Sequence, residues 1–411
     1  MKPVVIVGAG LAGLACARTL RRHRVPFHLI EASDRIGGRL KTDLVEGCPL
    51  DQGYQVYFTA YPHAKFELDE NKLDLKMFEP GAVVVWDGDQ HLISREQPLQ
   101  TALSKLLPTS DKLRLARWTS DVQWLDQDDM DEVADRPIEQ YLRDEGFSNA
   151  AIDRFFRPFL GGIFLDRSLS GSCRQLLFVW RYLNEGHTAV PNLGMEEIPK
   201  QIGITIGQDV RLNTRVTGLN RNGAVRGLKL DDGTALEAEA IVLACDAENA
   251  AALSGIPMQT EFRHSITLYF LAPEKPTRHG GLVLNGNMKG IANHLAVMPN
   301  SPSGRFVLSA TILGERPETN EQLAEIVKAE LRLWFPNRDP EAWAFLRGYR
   351  CRNSQLVQAP GFQSARPGYD TGTPGLYFAG EFTTNSSIDG ATQSGIECAE
   401  HLLRGLGVLA S

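Results

Sequence analysis

The chain has 411 residues, with 43 Lys and Arg against 50 Asp and Glu for a formal net charge of −7. That length provides for about two or three structural units with ample cores, and an acidic chain with no broad basic stretch excludes non-specific nucleic-acid binding. The six cysteines (16, 48, 173, 245, 351 and 398) contain no CxxC pair and the nine histidines no HxH or HxxxH pair, so neither a compact disulfide framework nor a metal site is expected.

No apolar stretch reaches the ~18 residues of a spanning helix, and the first residues read as a strand rather than a leader. The expected setting is a reduced cytoplasm with no transmembrane segment, and peripheral membrane contact stays open.

The opening stretch MKPVVIVGAGLAGLACARTLRRHRVPFHLIEAS predicts a strand over 3–7, a glycine turn, a helix over about 11–22 and a strand over 27–30 that ends at Glu31. Gly8 permits the tight turn, Gly10 lets the backbone approach a pyrophosphate, and Gly13 lets the helix pack on the strand. The first helical residues, Leu11 and Ala12, then offer unpaired amides to phosphate. Glu31, followed by Ala32, is placed to accept hydrogen bonds from ribose hydroxyls and would repel a 2′-phosphate. NADP is disfavoured, while FAD and NAD both remain open at this point. Arg18, Arg21, Arg22, His23 and Arg24 read as a solvated helix end suited to the C-terminal dipole.

Further along, GCPLDQGYQVYF is a glycine-punctuated loop, and GAVVVWDGDQHLISRE predicts a hairpin turning at Asp87-Gly88. Residues 99–183 are mostly helical, with aromatic stripes that read as core. Four short strands follow over 209–247, with turns at Asn222-Gly223 and Asp232-Gly233. Strands HSITLYFLA, GLVLNG and FVLSATIL and an amphipathic helix NEQLAEIVKAELRLWF make a second inserted block. The last segment is strand, glycine turn, loop and helix. Nucleotide-type pieces at the start, middle and end imply one domain folded from distant segments.

These residues resemble the FAD-dependent family of protoporphyrinogen oxidase, the carotenoid desaturases and the flavin amine oxidases, over nearly the whole chain. EASDRIGGRL carries the family's arginine and Gly-Gly-Arg as Arg35, Gly37, Gly38 and Arg39. LDQGYQVYF matches its Asp-x-Gly loop through Gly53, Tyr54 and Gln55. PNLGMEEIPKQI matches its Pro-x-Gly-Gly-Met turn with Leu193 where the first glycine is usual, and Val216 stands where the main chain meets adenine. GLYFAGEFTTNSSIDGATQSGIECAEHL matches the C-terminal flavin motif with Ala379, Gly380, Glu381, Ile388, Gly390, Ala391, Ser394 and Gly395.

The resemblance implies non-covalent FAD. It implies an α/β fold in which a Rossmann-like FAD-binding domain is assembled from segments 1–85, 190–250 and 355–411. An α+β substrate domain is inserted over 86–189 and 251–354. Gly390 is expected to start a helix whose amides face the pyrimidine edge of the flavin and stabilise charge developing there.

Within the family, the amine oxidases carry a lysine in the strand that corresponds to EFRHSITLYF, which offers His264 and Ser265 instead, and an aromatic residue where Ser387 stands. Residues 155–186 are similar instead to the helices that wall the cavity of the desaturases and protoporphyrinogen oxidases. The implied function is hydride transfer from a largely apolar small molecule to flavin N5. A flavin amine oxidase and a non-redox isomerase using reduced flavin are the alternatives. No residue is assigned as catalytic. Arg154 or Arg157 meets either a substrate carboxylate or solvent; His294 faces either the flavin or the core; Cys351 reads as a small buried hydrophobe.

Overall fold

The computed structural model describes residues 2–53, 55–222, 224–278 and 281–410. Five strands form a parallel sheet in the order Val210–Arg211, Phe27–Ile30, Val4–Val7, Ile241–Leu243 and Leu376–Phe378. Both faces are covered, which is why the central strand reads VVIV without alternation. Val4 and Ile6 pack beneath the helices, whereas Val5 and Val7 pack with Val225, Leu228 and Leu230 of an antiparallel meander. That meander comprises Val216–Asn222, Ala224–Leu230 and Ala235–Glu237. Gly223, in the first of the two expected turns, lies outside the described residues.

The helix Leu11–Arg22 lies against the C-terminal helix Ile388–Gly405. Their approach depends on Gly395, where a Cβ would sit 2.1 Å from the Ala12 carbonyl oxygen. The chain's beginning and end thus make one layer on the sheet. The basic helix end departs from expectation. Arg18 and Arg22 both pair with Glu67, whose side chain is fully buried, and Arg21 pairs with Asp209. A carboxylate that leaves water needs such partners, and Glu67 is far away in sequence, so the local pattern could not show it.

A seven-stranded sheet follows the order Ala344–Leu356, Phe262–Ala272, Phe306–Leu313, Ala292–Val297, Leu282–Asn285, Ala82–Trp86 and Asp89–Ile93. The hairpin turns at Asp87 and Gly88, with φ of 53° and 84°, the left-handed pair that a two-residue turn requires. Its first strand runs parallel to Leu282–Asn285. Ile266, Leu268 and Phe270 pack with Leu323, Val327 and Leu331 of the helix Asn320–Trp334. The other face of the sheet is turned towards the helical block.

That block includes Thr109–Gln123, Ile138–Asp144, Arg157–Phe164 and Cys173–Glu185. Trp118, Phe147, Phe156 and Trp180 form its aromatic core, with Trp118 and Trp180 ring centres 4.8 Å apart. The expected aromatic core is therefore real. Among the described residues no helix is long and apolar enough to cross a membrane.

Candidate active site

The glycine turn is built for close approach. A Cβ on Gly8 would stand 2.7 Å from the Ala244 carbonyl oxygen, one on Gly13 1.9 Å from that of Gly8, and one on Gly38 3.2 Å from the Gly10 Cα. Gly10 and Gly38 thus face each other across a gap with no side chain in it. The helix that starts at Leu11 has no side-chain cap and no acid in its first turn, and among the described residues the Leu11 and Ala12 amides have no protein acceptor. Open backbone donors with a positive dipole end fit a pyrophosphate.

Glu31 stands at the rim of this turn. Its Oε2 accepts from the Ala9 amide and its Oε1 from the Ser33 amide, each at 2.8 Å. Its carbonyl accepts from Thr214 N at 2.9 Å, which brings the 214–216 segment, and with it Val216, alongside Glu31. Ala32 is exposed next to it. Each carboxylate oxygen keeps a lone pair for a ribose hydroxyl. Leu193 projects into solvent at 65% exposure, so its replacement of a glycine leaves the inner side of the turn open.

Arg39 carries the site into the C-terminal motif. Its guanidinium makes a two-pronged pair with Glu381, at 2.7 and 3.2 Å, and donates to the Ser354 carbonyl at 3.0 Å. Gly380 N donates to Ser394 Oγ at 2.7 Å. The helix begins at Ile388, not at Gly390: Ser387 caps it, and its hydroxyl takes the Gly390 amide at 2.8 Å. The expected helix start at Gly390 is therefore corrected to Ile388, and the Gly390 amide is taken up by the cap. Among the described residues the Ile388 and Asp389 amides have no protein acceptor, and Ser386, Ser387 and Ile388 line the cavity described below. Ala391 is half-buried one turn in.

Asp51, two residues before Gly53, is fully buried. Burial pushes its pKa up to about 6 against the pull of hydrogen bonds from Thr42 Oγ1 and Met195 N. Its other oxygen, Oδ2, is unpartnered. The bond to Met195 fastens the Asp-x-Gly loop to the Pro-x-x-Gly-Met turn. Tyr54 lies outside the described residues.

Between the two sheets and the helical block lies a cavity of about 930 Å³. Arg39, Gly53, Gln55 and Ile388 line one part of it, so expected cofactor residues from three segments meet there. Phe58, Tyr61, Phe159, Ile163, Leu183 and Leu284 contribute apolar walls. Ser265 and Thr267 both line it, as period-two alternation along the strand dictates. His264 is absent from the lining, and its Nδ1 is buried without a partner. Gln55 donates to Thr267 Oγ1 at 3.1 Å and accepts from Ser309 Oγ at 2.9 Å. This neutral seam was missed by sequence reasoning, although the S-x-T spacing in SITLY carries its signal.

His294 lines the cavity wall, with Nδ1 3.2 Å from the Asn293 amide nitrogen. Burial, then nearby Arg167, lower its pKa to about 4, so it is neutral near pH 7. Arg154 instead lies over the Trp86 ring at 4.0 Å, and Arg157 pairs with Glu139 and Asp153. Neither lines the cavity, so the structure does not support a substrate-carboxylate role for either. Cys351 does line it, opposite Ser265. Among the described residues no cluster of three His, Cys, Asp or Glu side chains could hold a metal ion.

Residues 11–403 match the model of the flavin-containing amine oxidoreductases. The chain is 23% identical to 15-cis-phytoene desaturase of Solanum lycopersicum over 98% of its length and 77% of the relative's. It is also 23% identical to polyamine oxidase 4 of Oryza sativa subsp. japonica, over 98% and 90% of the two chains. A triple mutant of putrescine oxidase superposes with a TM-score of 0.76 at 18% identity, covering 98% of this chain and 99% of the other. At that identity the superposition speaks for the fold.

Proposed function

The chain belongs to the flavin-containing amine oxidoreductases and is an FAD-dependent oxidoreductase, and from this premise we propose that its substrate is an extended, largely apolar small molecule. The observation that carries this reading is the charge of the cavity. Among its described lining residues the only carboxylate is Glu79, which is 53% exposed and paired with Lys275. An alkylammonium drawn inside would lose its hydration with no counter-ion, a cost of several kcal/mol. An apolar molecule gains about 25 cal/mol for each Å² it buries, before ordering costs.

Bound FAD supplies an acceptor for two electrons as hydride. The residues serve to hold and orient. Leu11 and Ala12 amides take the pyrophosphate, Glu31 the ribose, and the uncapped Ile388 and Asp389 amides the electron-rich edge of the ring. The apolar walls exclude water, and neutral Gln55, Thr267 and His294 offer hydrogen bonds without charge. The cofactor is held without a covalent link. The division into FAD-binding segments 1–85, 190–250 and 355–411 and substrate segments 86–189 and 251–354 belongs to the same proposal. So does a cytoplasmic location, supported by six cysteines that are all unpaired.

Anaerobic stopped-flow mixing with a matched panel of diamines, polyenes and porphyrinogens tests the reading through flavin bleaching. Reduction by a polyene or porphyrinogen but not by the diamines is expected. Rapid reduction by a diamine with no response to the apolar compounds would overturn it.

A further inference from the structure

The helix Arg157–Phe164 carries two adjacent glycines, Gly161 and Gly162, that lie against the strand Ala292–Val297. A Cβ on Gly161 would stand 3.3 Å from Arg167 Cγ, and one on Gly162 2.7 Å from His294 Nδ1 and 3.1 Å from Asn293 Nδ2. The glycines leave room for a chain of side chains, Arg167, Asn293 and His294, that ends at the cavity wall.

This chain fixes where the proton of His294 sits. Asn293 is fully buried. Its Oδ1 accepts from Arg167 Nε at 2.9 Å, and its Nδ2 donates to the Pro158 carbonyl at 3.0 Å. Turning the amide over would set its NH2 against a guanidinium N–H and its oxygen against a carbonyl oxygen, so both neighbours dictate one orientation. Arg167 is itself held by the Ala292 carbonyl at 3.1 Å. The second hydrogen of Asn293 Nδ2 is left for His294 Nδ1, 3.2 Å away, which must accept it. Burial, and then the Arg167 charge, keep the ring neutral. A neutral imidazole that accepts at Nδ1 carries its proton on Nε2. Among the described residues Nε2 has no hydrogen-bond partner, and the ring lines the cavity.

Strand register places this donor relative to the cofactor residues. Thr267 pairs with Thr311, and Thr311 with His294, so these cavity-lining residues stand in one row across adjacent strands. Thr267 is the end that holds Gln55. At about 4.8 Å per strand, His294 lies about 10 Å from Thr267.

We propose that His294 determines specificity in the cavity, its Nε2–H binding a neutral oxygen acceptor, a carbonyl or hydroxyl, that the substrate carries about 10 Å from the group facing Gln55 and Thr267. Asn293 and Arg167 are positioning residues that act through it. This deepens the apolar-substrate reading and rests on it. A carboxylate would find a single neutral donor at His294, because Arg167 is turned to Asn293 and Ala292. A pure hydrocarbon would cover the N–H and leave it unpaired, which costs free energy.

Two measurements on the flavin-loaded protein test this. The first uses no ligand: heteronuclear NMR of protein carrying isotope-labelled histidine, near neutral pH, with His294 assigned by the signal that His294→Gln removes. A neutral ring protonated at Nε2 is expected, and Asn293→Asp, which replaces the donor by an acceptor, should put a proton on Nδ1. A wild-type ring protonated at Nδ1 would overturn the proposal, and a ring unchanged in Asn293→Asp would overturn the positioning role of Asn293.

The second titrates the apolar ketones β-ionone and farnesylacetone, each against its hydrocarbon counterpart, with putrescine as the charged control, and reads the perturbation of the flavin spectrum. The ketones should bind about three- to tenfold more tightly than the hydrocarbons, with the infrared carbonyl stretch lowered on binding. His294→Leu should abolish both the preference and the lowered stretch. His294→Gln, whose amide N–H can take the place of Nε2–H, should keep them. Equal binding of ketone and hydrocarbon, or a preference that survives His294→Leu, would overturn the proposal and leave the apolar-substrate reading standing. Failure of every apolar compound to bind, with or without binding of putrescine, would overturn both.

Discussion

Arg39 and Glu381 meet as a two-pronged ion pair, although 342 positions separate them in the chain. Glu381 is almost wholly buried, its side chain 3% exposed, and also accepts from Ser386 Oγ. The Gly-Gly-Arg stretch is thereby clamped to the C-terminal flavin motif.

Arg39→Met leaves the buried carboxylate without its cation, a loss of about 3 kcal/mol or more. Expected outcomes are a lower urea midpoint and poor retention of FAD. Adding Glu381→Gln should restore part of the stability, because the stranded charge is gone. A double variant no more stable than Arg39→Met would remove the clamp from the account.

Glu31→Ala should weaken FAD by roughly 1.5 to 3 kcal/mol, as expected for lost hydrogen bonds to a charged group. The structure adds a second effect. Because Glu31 also holds the Ala9 and Ser33 amides, the apoprotein should lose about 1 kcal/mol as well. Fluorescence titration of apoprotein with FAD measures the first and chemical unfolding the second. An unchanged FAD dissociation constant would take Glu31 out of the ribose site.

The legible parts of this protein were the local ones. The opening strand, turn and helix could be read because GxGxxG, the VVIV run and Glu31 lie within one continuous stretch. The hairpin at Asp87-Gly88 could be read because two residues determine its turn. The edge strand Ala344–Leu356 was not foreseen, since arginines at 347, 350 and 352 obscure its alternation. The strand Ala292–Val297 was missed as well; four of its six residues are apolar but without alternation, because both faces are largely covered. At the site, the last helix was expected to start at Gly390, yet Ser387 caps it and starts it at Ile388, a detail of side-chain geometry. Thr267 was passed over because attention fell on a missing lysine rather than on which strand residues face inward.

Asp51 gives a pH signature. Its pKa is about 6 when folded and about 3.9 in an unfolded chain. Below the unfolded value both states are protonated and nothing is lost. As pH rises from about 4 to 6 only the unfolded chain ionises freely, so stability falls, and above that the penalty of about 2 to 3 kcal/mol is complete. Asp51→Asn cannot ionise, so its stability relative to wild type should rise across that window. Urea unfolding of both proteins at about pH 4 and about pH 7.5 reads the difference. A difference that does not change with pH would show that Asp51 ionises normally.

Gly395→Val should separate the two helices that carry the glycine turn and the C-terminal motif. A Cβ there would stand 2.1 Å from the Ala12 oxygen and 2.9 Å from the Ala15 Cβ, and backbone cannot move aside as a flexible side chain can. Overpacking of this kind costs about 1 to 3 kcal/mol or more. Thermal unfolding should shift down and FAD should be lost together with it. Retention of FAD with normal stability would show that the helices can separate without consequence for the cofactor.

Phe156 and Phe159 lie three residues apart, yet they should fail in different ways. Phe156 is 1% exposed and packs on Trp118, Phe147 and Trp180. Phe159 stacks on Phe155, with ring centres 5.6 Å apart, and meets Trp180 edge-on at 6.1 Å, but it also lines the cavity. Truncating the first opens a void in packed core, so Phe156→Ala should cost about 3 to 5 kcal/mol of stability. Phe159→Ala enlarges a space that is already there, and its main cost falls on the occupant, which loses about 1.5 to 3 kcal/mol of apolar burial. Phe159→Ala should therefore keep its melting temperature and flavin spectrum while the concentration of apolar substrate needed for half-maximal flavin reduction rises roughly tenfold or more. If Phe159→Ala instead unfolds like Phe156→Ala and binds as before, that wall is core rather than binding surface.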